Sequence, residues 1–181
     1  MRRSILCLAL ALLVGPAHLP GLQYCPAKLN TGIREYSDFR IRSIFLNILY
    51  KTNMDPKKFA LCEDLFALVP HTVDLATTPG QSVVAVLLTH QARNYTSSEL
   101  RGLIAHELGH EQLRGKPKNI ELEIAVDKIA AGWVGSQAVI AGLRALLPEF
   151  ERFSGIREIY QAQIMLRIDL LAYPRRTAQR P

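Results

Sequence analysis

The chain has 181 residues, about the length of one domain, which leaves no room for a second sizeable core. Apolar residues make up 49% and charged residues 21%, ordinary proportions that exclude a disordered tail protein, a collagen-like fibre and a multi-pass membrane protein. Twenty-two Lys and Arg outnumber sixteen Asp and Glu, but they are scattered from Arg34 and Arg40 to Arg144 and Arg157. With aromatics at 7%, this gives no nucleic-acid-binding stripe.

Met1-Arg2-Arg3-Ser4 puts positive charge ahead of an unbroken apolar run from Ile5 to Val14, and the small residues Gly15-Pro16-Ala17 follow. The run is too short for a helix crossing a hydrocarbon core, which takes about twenty residues. It predicts a signal peptide over residues 1–20, cut near Ala17 to Gly21, hence an exported protein (periplasmic or secreted) with no stable membrane span once the leader is gone. The alternative is an uncleaved N-terminal anchor. Loss of Arg2 and Arg3 lowers the net charge from +6 to +4, with 20 basic against 16 acidic residues. Cys7 leaves with the leader, and the pair that stays, Cys25 and Cys62, predicts one disulfide in an oxidising compartment. Two buried free thiols are the alternative.

Residues 21–174 read as one domain. Gly, Pro and Asn over 21–34 predict a loop. From Glu35 to Lys51, Phe39, Ile41, Ile44, Phe45, Ile48 and Leu49 recur at helical spacing. Asn53 to Pro56 ends that helix, and Pro56 starts a short second one. Leu65–Val69, His71–Ala76 and Val83–Leu88 are β-prone runs, the last two joined by a turn at Thr78-Pro79-Gly80-Gln81. After Asn94 the pattern is helical to about Ala172, with starts near Thr96, Lys118, Ser136 and after Pro148. Residues 175–181 form a disordered basic tail.

Thr96-Ser97-Ser98-Glu99 is a capping box, which sets where its helix begins. Ten residues on stands His106-Glu107-Leu108-Gly109-His110. Histidines at i and i+4 lie about 40° apart around a helix and about 6 Å along it, so both rings reach one ion. Glu107, about 100° round from His106, is placed to bind a water beside that ion rather than the ion itself. This is the H-E-x-x-H arrangement of zinc hydrolases, with Glu107 as general base. Gly102, Ala105 and Gly109 share one stripe. Glycine costs about 1 kcal/mol against alanine inside a helix, so the stripe predicts close approach of another segment.

Zinc needs a third protein ligand, and the next helix offers two glutamates. Leu122, Val126, Ile129 and Trp133 cluster on one arc, the core face. Glu121 and Lys128 fall on the solvent side. Glu123 and Asp127 fall on a flank bordered by Ala130, where paired carboxylates need something positive beside them. Glu123 is therefore the third ligand, and Asp127 the acceptor that orients a ligand histidine. The alternative is that both carboxylates are merely solvated.

Thr96-Ser97-Ser98-Glu99-Leu100, Ala105-His106-Glu107-Leu108-Gly109-His110 and Glu123-Ile124-Ala125-Val126-Asp127 resemble the gluzincin metallopeptidases of the CAAX prenyl protease type. The resemblance spans about residues 65–170 and is densest over 96–131. It implies that Glu123 is the ligand of a Glu-x-x-x-Asp motif and Asp127 its aspartate. Val126 replaces the alanine usual before that aspartate. Family members also carry His-Pro upstream of an arginine on a late helix. Arg167 stands at the arginine, but Gln161-Ala162 replaces His-Pro, so no role is carried over to Arg167. Many members have several membrane spans, and this chain would be a compact exported form.

The implied fold is α+β and zincin-like: an N-terminal helix, a small antiparallel or mixed sheet, the active-site helix and a C-terminal helical bundle. The implied activity is peptide-bond hydrolysis with one Zn(2+) per chain and a peptide or protein as substrate. His71, His90, Tyr95, Tyr160 and Tyr173 are all available to help the oxyanion. Val83, Val84, Ala85 and Val86, on a strand leading to the capped helix, are expected to offer an edge to substrate backbone; an interior strand is the alternative. Two other classes stay open. One is a metallopeptidase of the repressor-cleaving kind, which works in the cytosol and so conflicts with the leader. The other is a non-catalytic exported zinc-binding or scaffold protein, which has no use for Glu107.

Overall fold

A computed structural model describes residues 22, 23, 25, 32–67, 69–78, 81–151 and 157–173. The expected leader at 1–20, the tip of the turn at Pro79-Gly80 and the tail at 175–181 lie outside these residues. Among the described residues the chain is α+β, with five α-helices and one mixed four-stranded sheet. No helix among them is long and apolar enough to cross a membrane.

The first strand, β1 (Ile33–Glu35), falls where the sequence predicts the end of a loop. Its single apolar residue gives no alternating pattern. It is held by antiparallel pairing with the second strand, β2 (Phe59–Asp64), and by Arg34 Nε donating to Glu63 at 2.7 Å. The first helix, α1 (Phe39–Lys51), therefore starts four residues later than expected, where the Asp38 carboxylate accepts the Ile41 N–H. Ile41, Ile44, Phe45, Ile48 and Leu49 are its buried face. Asn53, at φ 56°, turns the chain out of the helix, and a 3-10 turn follows at Pro56–Lys58.

Among the described residues of the expected strand at Leu65–Val69 no strand is formed; β2 lies just before it. The Asp64 carboxylate accepts the N–H groups of Phe66 and Ala67 at 2.9 and 3.0 Å, an Asx turn that ends the strand. Phe66 is 73% exposed as a result. Strands β3 (His71–Thr78) and β4 (Gln81–Thr89) form the expected antiparallel pair.

Strand order is β1-β2-β4-β3, with β2 and β4 parallel. Strand β4 is thus interior, paired on both sides, and the expected substrate-facing edge at Val83, Val84, Ala85 and Val86 is overturned. Alternate residues of β4 enter two different cores: Val84, Val86 and Leu88 meet the helices, while Val83, Ala85 and Leu87 join Ala60 and Cys62 on the other face. A strand buried on both faces reads as an unbroken apolar run, which says nothing about its neighbours. On that second face Cys25 and Cys62 form a disulfide.

Helices α2 (Ser97–Gln112), α3 (Ile120–Val134), α4 (Ser136–Phe150) and α5 (Arg157–Ala172) complete the chain. Pro148 lies inside the last turn of α4 rather than ahead of a new helix, a place where its missing N–H costs a single bond. The expected close approach to the small-residue stripe of α2 has two partners. A Cβ on Gly102 would stand 2.1 Å from the Ala138 carbonyl oxygen of α4, and one on Gly109 would stand 3.0 Å from Val126 of α3. Gly142 is equally tight from the α4 side, 2.9 Å from the Leu103 backbone. Backbone-close contact at Gly102 and Gly142 presses α4 onto the helix that carries the histidines.

Candidate metal centre

Thr96 caps α2 as its sequence predicts: its N–H donates to Glu99 at 2.6 Å and its hydroxyl accepts the Glu99 N–H at 3.3 Å. From that start, His106 and His110 fall one turn apart with their Nε2 atoms 3.1 Å from each other. Helix α3, capped by Asn119, brings Glu123 against both rings. Its Oε2 is 3.1 Å from His106 Nε2 and its Oε1 is 3.6 Å from His110 Nε2. Glu121 is exposed on the far side. These three residues form a group that could hold a metal ion. A tetrahedral ion with bonds of about 2.0–2.1 Å sets neighbouring ligand atoms about 3.3 Å apart, so the observed separations of 3.1, 3.1 and 3.6 Å suit such a donor set.

Behind the ligands stands Asp127, 1% exposed. Its carboxylate accepts His106 Nδ1–H at 2.8 Å, which fixes the ring with Nε2 facing the cluster. It also accepts two bonds from Arg167 on α5, Nε at 2.6 Å and Nη2 at 2.8 Å, while Arg167 Nη1 lies 3.2 Å from Glu123 Oε2. Arg167 thus clamps the two acidic residues of the centre, a role that sequence reasoning did not assign. One signal was there: Ile164, Arg167, Ile168 and Leu171 are all buried and fall at i, i+3, i+4 and i+7, so an arginine occupies the core face of a helix.

Burial pushes the Asp127 carboxyl up, but Arg167 and His106 outweigh it and hold it below its ordinary value. Glu123 follows the same balance, with His106 and Arg167 overcoming burial. Burial pushes the His106 imidazole down, and the bonds from Asp127 and Glu123 reverse this to about 9. The carboxylates of Asp127 and Glu123 thus favour positive charge at His106, against burial and Arg167. Burial and the neighbouring His106 both lower His110, keeping it a neutral donor.

Glu107 is buried beside the cluster, and its carboxyl makes no hydrogen bond or ion pair among the described residues. Burial and the charge of Glu123 raise its carboxyl to about 7, against the pull of His106 and Arg167. It lines a cavity of about 600 Å³ together with His106, His110 and Glu123. Comparison of the chain with protein-family models, with curated proteins and with solved structures gives no match. Of the five residues proposed to aid an oxyanion, His71 and Tyr160 line the cavity. His90 instead donates to Glu63 at 2.8 Å, and Tyr95 and Tyr173 lie outside the lining. Residues 69–73 also line the cavity; they lead into β3, an edge strand of the sheet.

Proposed function

We propose that this chain is an exported, zinc-dependent endopeptidase of zincin-like architecture, resembling the gluzincins. One observation carries the reading: a buried, unpaired carboxyl, Glu107, shares a cavity with three converging ligand atoms. A site built only to hold an ion closes its fourth position and has no need of that carboxyl.

His106, His110 and Glu123 hold the ion, Asp127 fixes the His106 tautomer, and Arg167 holds Asp127 and Glu123 in register. When bound, zinc supplies Lewis acidity to a substrate carbonyl and to a water. Glu107 takes the proton of the attacking water as its oxygen bonds to the carbonyl carbon, then delivers that proton to the amine nitrogen as the C–N bond breaks. His71 or Tyr160 donates to the developing oxyanion. The extended substrate pairs its backbone with the open side of β3, the role expected of β4 before the strand order was known. The Cys25–Cys62 disulfide supports an oxidising compartment.

The test uses the mature protein on an unfolded protein substrate. Glu107→Gln should keep one zinc per chain and the parent's thermal stability while turnover falls by at least 10²–10⁴. A variant that cleaves as fast as the parent would refute the peptidase reading.

A further inference from the structure

The cavity has two unlike ends. One stretch of its lining is apolar, made by Leu143 and Phe150 of α4 and Ile164 of α5, with the exposed Tyr160 stacked on Phe150 at 4.9 Å between ring centroids. Its rim includes the link between α2 and α3, which contributes Arg114, Lys116 and Lys118. The charges along the lining are not balanced there. Glu107 and Glu123 belong to the metal centre, and Glu111 accepts from Arg114 Nε at 3.0 Å. The side chains of Lys116 and Lys118, both exposed residues, have no hydrogen-bond or ion-pair partner among the described residues. Position matters as much as charge. The link joins the helix carrying His110 to the helix carrying Glu123, so Lys116 follows His110 by six residues and Lys118 precedes Glu123 by five.

We infer that the substrate is an extended peptide with a bulky apolar residue that packs on this apolar stretch and an acidic residue nearby that meets Lys116 and Lys118. This rests on the peptidase reading and adds the substrate class to it. The apolar wall gives affinity in proportion to the area it covers. The lysines give direction: a carboxylate is drawn to them and a second cation is repelled, over a range that salt shortens to about 8 Å at physiological ionic strength.

The experiment uses the zinc-loaded mature protein and quenched fluorescent peptides with a central Phe, flanked on one side by Glu, Gln or Lys. Cleavage is measured with the parent, and binding by fluorescence anisotropy with Glu107→Gln. Both should rank Glu over Gln over Lys, with roughly tenfold between the extremes at low salt and a smaller ratio in 0.5 M NaCl. The double variant Lys116→Glu/Lys118→Glu should reverse the order at unchanged zinc content, which shows that the centre is intact. Replacing the central Phe by Ala should weaken all three peptides, and Phe150→Ala should shrink that difference at unchanged zinc content. Cleavage with no charge ranking, or a ranking that the double variant keeps, overturns the inference and leaves the peptidase reading standing. A ranked binding series with no cleavage by the parent refutes the peptidase reading alone. Neither binding nor cleavage refutes both.

Discussion

Asp127 answers to two partners with one carboxylate, and the order of its contacts explains the chemistry of the centre. By accepting from His106 Nδ1 it sets the tautomer, and by accepting twice from Arg167 it stays ionised although almost fully buried. A buried carboxylate without such partners would protonate. The ligand assignment can be checked one residue at a time. Glu123→Ala should lose the metal, while Glu121→Ala, two residues away on the exposed side, should retain it. Asp127→Asn should weaken zinc affinity about 10- to 100-fold, the usual effect of removing the partner that orients a ligand. Metal content by elemental analysis and competition with a chelator reads both. Retention by Glu123→Ala would place the third ligand elsewhere.

Helices and strands contribute by different means. Helix α2 has no single apolar face: it is buried nearly all round, and its close neighbours α3 and α4 reach it through Gly109 and Gly102. A side chain at Gly102 has only backbone to meet, so α4 and its apolar cavity wall would be forced outward. In the sheet, the comparable device is Glu63 of β2. Its fully buried carboxylate accepts from Arg34, His90 and Arg93, tying β1, β2 and the turn after β4 together. Burial pushes this carboxyl up, but the three donors outweigh it and bring it below its ordinary value. A carboxyl that is more acidic in the folded chain adds stability above its unfolded value, near 4.3, and loses it as pH falls through the folded value. The parent's Tm should therefore drop as pH is lowered from about 5 towards 3, and Glu63→Gln should flatten that part of the profile. The same variant should be less stable at pH 7 by about 1–3 kcal/mol. Parallel profiles for the two proteins would show that Glu63 does not carry the acid response.

At the scale of the whole molecule, the disulfide ties residue 25 to the middle of the sheet across a sequence separation of 37. Closing a loop of that length stabilises by about 4 kcal/mol through the unfolded chain. Reduction, or Cys25→Ser, should lower Tm by about 10 °C at this chain length. An unchanged Tm on reduction would mean that the bridge constrains little. The metal centre sits on the opposite, helical side of the sheet, so zinc content should survive the reduction.

What was legible in the sequence is what local geometry dictates. The capping box, the i and i+4 histidines, and the choice of Glu123 over Glu121 all follow from 3.6 residues per turn, which the backbone imposes whatever surrounds it. The pairing of Cys25 with Cys62 followed from setting Cys7 aside with the expected leader. The strand order was not legible, because an apolar run such as Val83–Leu88 is equally compatible with one or two neighbours. Nor was the end of β2, where the Asp64 side chain overrode the apolar run that follows it. Arg167 reaches Asp127 across forty residues of chain, and His71 and Tyr160 share a cavity although they lie far apart in sequence. Such contacts exist only once α5 has packed against α3 and α4 and the sheet has taken its order. The sequence by itself thus determined the placement of His106, Glu107, His110 and Glu123, whose spacing is set within single helices. Only the tertiary structure decided the clamp, the edge strand and the shape of the cavity, because each depends on which distant surfaces bury one another.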